Sequence, residues 1–585
     1  MTLEHTTEER VRRVVRDIPA AERTGGLAVV AALAAHGTDV VFGIPGTHNL
    51  EIYRHLPTLD VRAVTPRHEQ GAGYAADGHH LVTGRPGVVL TTTGPALTNV
   101  LTAAATAHAE SRPLLVVSPG MPVGTEGMDL GRLHETKDAS GAADRLMGSS
   151  RRVTTAEEAV DAVAEAFDGF ARRRPRPVHL EVPLDVLEGP WSGRLPGLRL
   201  GGPAELRPDA SDEPVRTAAA RLAAAQEPLI VAGGGARGAG PALQALAERI
   251  DAPVVTTANG KGVLAEDHPL SLRADVRRAA VQRASRSADV LMVVGSELGD
   301  SDLWGGTIGA AYGSAPSRAS ESADDDPQTV IRLDVDPAQL HKNLPGDVVL
   351  AADAGAGLRA LVAELPPRRE GPGTTGDAED PTTSARTTPG RRRAATLRGE
   401  VDEEFDRTAT LPRITTVVQQ AAGDDVIVAG DSSQVTYDGT IHALRARRED
   451  QLLYMPGHAT LGYGIPAAIG AQIGVPDRPV VALVGDGAAM FTVQEVATAV
   501  EQGLPVVIII ADNGGYGEIE AQMRQIGVEP TGVRLSSPDF AALGCAMGAR
   551  GAAVDVSAEG WEDRLSAVVS EELAADGPTV VHLRL

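Results

Sequence analysis

The sequence predicts an α/β protein made of three doubly wound parallel sheets, and three observations predict it. Short, continuously apolar runs recur along the chain: Val88–Thr91, Leu114–Val117, Leu229–Ala232, Val290–Val294, Val480–Val484 and Val506–Ile510. Strands that are apolar throughout, rather than at alternate positions, are buried on both faces, as in a parallel sheet covered by helices. Most of these runs are followed by a Gly- or Asp-containing turn and then an Ala-rich stretch of helical pattern, the β–α alternation that generates such sheets. Finally, 585 residues exceed what one hydrophobic core organises, and compositional breaks divide them. Leu195–Glu213 and Pro366–Arg393 are rich in Pro, Gly and polar residues and are expected to be linkers. Ser314–Asp326 is expected to be a surface loop. The domains predicted between these breaks span 24–190, 214–362 and 395–585.

Composition narrows the function. Hydrophobic residues make up 42% and charged residues 23%, an ordinary balance for a soluble globular protein. The formal net charge of −24 argues against nucleic acid or an anionic membrane as partner, because both need a basic footprint. The single cysteine, Cys545, excludes an intrachain disulfide framework and points to a reducing compartment. It is expected to be a small buried core residue of an apolar helix. The charged first 22 residues lack a signal-peptide core, and no apolar run approaches the roughly 18 residues of a membrane span. A cytoplasmic protein acting on a small molecule is the expectation.

The chemistry is written most densely after the Val480–Val484 strand. Gly485, Asp486, Gly487 and Ala488 turn from that strand into an Ala-rich segment. Such a turn lets backbone N–H groups approach a phosphate at a helix N-terminus. Asp486 stands where a hard cation bridging a diphosphate needs an oxygen ligand. One helix and one strand later, Val506–Ala511 delivers Asn513, Gly514, Gly515 and Tyr516. Asp486 and Asn513 therefore emerge at the carboxyl edge of neighbouring parallel strands, where open α/β sheets bind their ligands. An Asp carboxylate, an Asn amide oxygen and a free carbonyl in a Gly-Gly loop suit Mg²⁺.

Gly-Asp-Gly followed by Asn at this spacing resembles the thiamine-diphosphate signature of the acetolactate synthase and 2-oxo-acid decarboxylase superfamily. The resemblance covers the chain from about residue 24 to its last residue. It implies Mg²⁺ held by the Asp486 and Asn513 side chains and the Gly515 carbonyl. It implies a diphosphate-contacting loop at Gly430, Asp431, Ser432, Ser433 and Gln434. Ala459 and Leu461 fall in the Gly457–Gly462 pattern, where the family places a bulky apolar residue that bends the cofactor. Arg67–Gly73 resembles the family segment whose glutamate, here Glu69, activates the cofactor pyrimidine; burial would raise its pKa as that task requires. In the family the Glu69 and Asp486 half-sites come from different subunits, which implies a homodimer at least and commonly a tetramer. The glycines at 233–235 could suggest a dinucleotide turn, but a lone cluster is weak, and a scaffold role for the middle domain is expected.

The substrate is approached through four stretches: Gly43–Tyr53, His68–Tyr74, Gly131–Asp138 and Asn513–Ile519. Together they resemble 5-guanidino-2-oxopentanoate decarboxylases. Thr47 and His48 fall on the side of the pocket that handles carboxylate and proton transfer, and His134 and Glu135 lie on a loop able to approach it. Relatives carry an apolar residue after the Tyr-Gly pair; here it is Glu518, with Gln522 one turn on. A carboxylate there suits a guanidinium, which it binds through two charge-assisted hydrogen bonds. Otherwise Glu518 swings to solvent or pairs with Arg524. The implied reaction is a lyase reaction: ylid attack on the 2-oxo carbon, CO₂ loss and enamine protonation to an aldehyde, His48 and His134 being candidate proton donors. The alternatives are an acetolactate-synthase-like carboligase, for which bound FAD would speak, and a non-catalytic binding paralogue.

Overall fold

The computed structural model describes residues 3–195, 212–313, 328–367 and 388–585. Most of the two expected linkers and of the expected loop, at 196–211, 368–387 and 314–327, lies outside the described residues. No helix among the described residues is long and apolar enough to cross a membrane.

Three six-stranded sheets carry the fold. The first holds β1 (Val40–Gly43), β2 (Arg62–Val64), β3 (Gly87–Leu90), β4 (Leu114–Gly120), β5 (Ser149–Arg152) and β6 (Val178–Pro183), in the order β2-β1-β3-β4-β6-β5. The second holds β7 (Leu229–Ala232), β8 (Val254–Thr256), β9 (Ser271–Asp275), β10 (Val290–Val294), β11 (Thr329–Asp334) and β12 (Val348–Ala351), in the order β12-β11-β10-β7-β8-β9. The third holds β13 (Ile427–Ala429), β14 (Leu452–Leu453), β15 (Val480–Gly485), β16 (Val507–Asp512), β17 (Arg550–Asp555) and β18 (Thr579–Arg584), in the order β14-β13-β15-β16-β18-β17. The registers run parallel, as in Val481–Gly485 beside Val507–Ala511. The apolar runs form central strands buried along their whole length, which is why they lack polar alternation.

By compactness the chain forms two units, one of Met1–Gly202, Val417–Tyr437 and Leu453–Leu585, the other of Pro203–Thr416 and Asp438–Leu452. Within the first unit, helix Glu69–Thr83 lies against helix Gly464–Gly474 at backbone distance. A Cβ on Gly78 would sit 2.1 Å from the Ala467 carbonyl oxygen, and one on Gly470 would sit 1.8 Å from that of Ala75. Only glycine permits this approach. The Tyr463 hydroxyl donates to Asp77 (2.6 Å) across the same interface.

The second unit has its own lock. Arg332, on β11, is fully buried and donates to four carbonyls, those of Ser296, Gln339, Lys342 and Leu344, at 2.6–3.1 Å. Burial pulls its pKa down to about 10, so it stays charged at neutral pH. Arg332→Met strands four buried acceptors and is expected to destabilise this unit by about 3 kcal/mol, seen as an earlier denaturation midpoint.

The glycines at 233–235 are spent on the sheet itself. Gly233 N–H donates to the Val294 carbonyl (2.8 Å) and Gly235 N–H to that of Gly295 (2.9 Å), leaving neither for a phosphate.

Two local expectations are corrected. Cys545 is exposed rather than buried, because helix Phe540–Ala546 turns Phe540 and Gly544 inward and the next residue points to solvent. The Ala-rich segment after Gly487 is no continuous helix. A single turn, Asp486–Ala489, ends before Thr492, whose hydroxyl donates to the Gly462 carbonyl (2.8 Å), and helix Val496–Glu501 follows.

Candidate active site

Strand order decides which residues meet. In the first sheet β1 and β3 are neighbours although β2 separates them in sequence, so the chain reverses direction between them and leaves a crevice at their carboxyl ends. Four consecutive edges deliver the predicted residues there: Glu69 after β2, Thr47 and His48 after β1, the Thr91–Gly94 turn after β3, and His134 and Glu135 after β4.

Glu69 opens its helix, where a carboxylate faces the positive end of the macrodipole. It is 8% exposed and accepts a hydrogen bond from the Asn99 side chain (2.9 Å). The segment before it is held from the third sheet. Glu495, buried, accepts from the backbone N–H of Arg67 at 3.0 and 3.1 Å and from the Thr498 hydroxyl at 2.6 Å. Burial pushes the Glu495 carboxyl up, and these bonds oppose the rise.

The loop after β1 is braced by Asn49, fully buried, which accepts from Gly46 N–H (2.8 Å) and donates to the Ile44 carbonyl (3.0 Å). Thr47 is left exposed and His48 half-buried. The Thr93 hydroxyl stands 2.6 Å from His48 Nδ1 and 3.3 Å from His134 Nδ1. Burial and then the neighbouring His134 hold the His48 imidazole below its ordinary pKa, with Glu188 opposing, so it is neutral at neutral pH. Glu135 folds back on its own loop, accepting from Arg132 N–H (2.9 Å). Backbone hydrogen bonds from 130–132 depress its carboxyl, and it acts as a brace of the His134 loop in this arrangement.

The third sheet repeats the logic. Its crevice lies between β13 and β15, and it receives Gly430–Gln434 after β13, Gly485–Ala488 after β15 and Asn513–Tyr516 after β16. Three oxygens converge there. In one amide orientation the Asn513 side-chain oxygen faces Asp486 Oδ1 (3.2 Å) and the Gly515 carbonyl (2.8 Å), while its NH₂ donates to Gln434 Oε1 (3.2 Å). Turned over, the NH₂ reaches the first two oxygens and the amide oxygen faces Gln434 instead. A hard cation among the three oxygens selects the first orientation. The Ser432 hydroxyl is buried without a hydrogen-bond partner among the described residues, and it fits a ligand oxygen such as that of a diphosphate.

Asp486 is backed by a chain of hydrogen bonds. Ser537 donates to Asp512 (2.7 Å) and reaches Asp486 (3.3 Å), and His582 bonds the other oxygen of Asp512 (2.8 Å). Burial pushes the Asp486 carboxyl up and Asp512 adds to it. Asp512, despite its own burial, is held below the usual range by Ser537 and His582. Tyr516 N–H donates to the Val533 carbonyl and Leu535 N–H to that of Gly514, so the 533–535 segment splints the 514–516 loop. Ala459 adopts a left-handed conformation two residues before half-buried Leu461.

Glu518 opens helix Gly517–Gln525 beside this crevice. Its oxygens accept from Gln434 (3.3 Å) and Gln522 (2.9 Å), and no Lys or Arg pairs with it among the described residues. Arg524 is engaged by Glu520 instead (2.5 Å), as is Arg534 (2.8 Å).

The residues missed from the sequence are supports: Thr93, Asn99, Asn49, Glu495 and Ser537. Asn49 lies inside the Gly43–Tyr53 stretch and bonds Gly46 and Ile44 locally, whereas Thr93, Asn99, Glu495 and Ser537 support residues distant in sequence.

Three family models match the chain: the N-terminal TPP binding domain of thiamine pyrophosphate enzymes over residues 23–142, their central domain over 215–361 and their C-terminal TPP binding domain over 431–583. A probable 2-ketoarginine decarboxylase of Pseudomonas aeruginosa is 39% identical over 92% of this chain and 90% of its own length. A probable acetolactate synthase large subunit of Methanocaldococcus jannaschii is 30% identical, over 94% of this chain and 90% of its own. An acetolactate synthase of Mycobacterium bovis is 32% identical over 95% and 87%. Full-length similarity, three matching domains and two crevices holding the expected residues lead to one conclusion: the chain belongs to the thiamine pyrophosphate enzymes.

Proposed function

We propose that this enzyme is a thiamine-diphosphate- and Mg²⁺-dependent decarboxylase of a cationic 2-oxo acid, with 5-guanidino-2-oxopentanoate the first candidate and an aldehyde the product. The observation that carries the reading is Glu518: a half-buried carboxylate, positioned by Gln434 and Gln522, with no cation of its own among the described residues. A guanidinium supplies the missing charge and two parallel N–H donors. The name of the Pseudomonas relative supports the same substrate class.

Bound thiamine diphosphate supplies the carbon nucleophile and the electron sink that make CO₂ loss feasible. Asp486, Asn513 and the Gly515 carbonyl would hold Mg²⁺. Gly430, Ser432, Ser433, Gln434, Gly485, Gly487 and Ala488 would hold the diphosphate. Ala459, Leu461 and Tyr516 would wall the cofactor. Glu69 would hold a proton at the pyrimidine ring, Thr47 would bind the substrate carboxylate, and His48 and His134 would together serve the protonation of the product carbon. We place the pyrimidine and diphosphate edges of one site on two copies of the chain, in a homodimer or a tetramer. Exposed apolar side chains support this: Leu50, Met128, Leu130 and Leu133 near the first edge, Met490 and Phe491 near the second.

The test is CO₂ release from a panel of 2-oxo acids. The guanidino acid is expected to lead, and Glu518→Gln to lower its kcat/KM by roughly 10- to 100-fold while sparing an apolar 2-oxo acid. Equal loss on both substrates would remove the assignment of Glu518. A carboligase is the second reading, favoured by the acetolactate synthase relatives; coupled product from pyruvate in place of aldehyde would establish it.

A further inference from the structure

From the geometry after β1, β3 and β4 we infer that the Thr93 hydroxyl couples His48 and His134 into one acid–base unit whose two outward nitrogens have opposite character. This rests on the decarboxylase reading for its chemistry, though not for its geometry. Thr93 carries one hydroxyl hydrogen, and both of its neighbours are Nδ1 atoms, at 2.6 Å from His48 and 3.3 Å from His134. Two acceptors facing one hydroxyl cannot both be satisfied by a single proton. The oxygen could accept from two Nδ1–H groups, but the buried hydroxyl hydrogen would then have no acceptor among the described residues, so every group is paired only when one Nδ1 is bare and the other carries hydrogen. O–H donors sit closer to their acceptors than N–H donors do. The short contact is therefore Thr93 O–H donating to bare His48 Nδ1, and the long one is His134 Nδ1–H donating to the Thr93 oxygen.

The neutral imidazoles are thus fixed as different tautomers. His48 presents Nε2–H, an acid; His134 presents a bare Nε2, a base. Their rings meet edge to face with centroids 5.8 Å apart, so both outward nitrogens belong to one locality. The fold enforces the arrangement. Gly94, at φ +61°, brings the turn after β3 so close to the 130–138 loop that a Cβ there would lie 2.6 Å from the His134 carbonyl oxygen. His134 itself sits in the left-handed region, at φ +60°.

Protons balance along the pair. His48 Nε2 gives its proton to the product carbon left after CO₂ departs. His48 Nδ1 takes the Thr93 hydroxyl proton, the Thr93 oxygen takes the His134 Nδ1 proton, and His134 Nε2 takes a proton from water. One proton enters, one leaves, and neither ring passes through an anion. The tautomers return when His48 Nε2 gains a proton from water and His134 Nε2 releases one. Thr93 is a positioning residue in this scheme: it sets which nitrogen is protonated and touches no substrate.

The test uses the full-length protein labelled with ¹⁵N-histidine, together with Thr93→Val and Thr93→Ser. In the wild type, the His48 and His134 resonances, assigned by loss in His48→Gln and His134→Gln, are expected to report opposite tautomers. The difference collapses in the valine variant and persists in the serine variant. For decarboxylation, Thr93→Val lowers kcat by at least ~10-fold with KM within about threefold, and Thr93→Ser restores it. The same tautomer on both rings in the wild type, or full kcat in the valine variant, overturns the coupling. If no 2-oxo acid is decarboxylated, the functional reading fails while the tautomer measurement still decides the coupling.

Discussion

Glu69→Gln is expected to lower kcat by about 10²- to 10⁴-fold while thiamine diphosphate still binds within a few-fold of wild type. The exchange is isosteric, and the amide oxygen can still accept the Asn99 hydrogen bond (2.9 Å), so the start of the helix keeps its shape. What disappears is the carboxylate that the proposed function places at the pyrimidine ring. The loss therefore falls on turnover rather than on binding. CO₂ release at saturating cofactor, with calorimetric titration of the cofactor alongside, separates the two. Turnover within threefold of wild type would remove Glu69 from the chemistry.

The complementary variant acts on binding. Asp486→Ala deletes one of three converging oxygens and leaves the Asn513 amide free to turn its NH₂ toward the Gly515 carbonyl, the orientation hostile to a cation. Affinity for thiamine diphosphate in the presence of Mg²⁺ is expected to fall more than 100-fold. Thermal denaturation reads the same loss without any turnover. A ligand at 100 times its Kd stabilises the native state by about 2.7 kcal/mol, and that increment should be missing in the variant. An undiminished rise in Tm on adding cofactor and Mg²⁺ would show that the metal site lies elsewhere.

The architecture was legible because its signals are local. A run such as Val480–Val484 states on its own that it is buried on both faces, and a Gly-Asp-Gly turn states that the chain must approach something closely. The Asp486 and Asn513 turns could even be placed on adjacent strands, since one helix and one strand separate them. Tertiary partners were not legible. Nothing around Glu495 announces that it holds the backbone at Arg67, or around Ser537 that it braces Asp486. The Thr93 hydroxyl matters only because β1, β3 and β4 end side by side. Cys545 was misjudged for a related reason: an apolar segment implies a buried face, but which residue turns away depends on the phase of the helix against its sheet.

The glycine-to-backbone contact between helices Glu69–Thr83 and Gly464–Gly474 also fixes an order of events at the ribosome. The first helix is synthesised with the opening sixth of the chain, and its partner only with the closing quarter. At ~5–20 residues per second, the delay is on the order of tens of seconds. During that time the face around Ala75 and Gly78 has no occupant, and the intervening sheet must complete itself first. The nascent N-terminal sheet therefore carries a narrow, small-residue helix face that stays uncovered until the C-terminal sheet arrives.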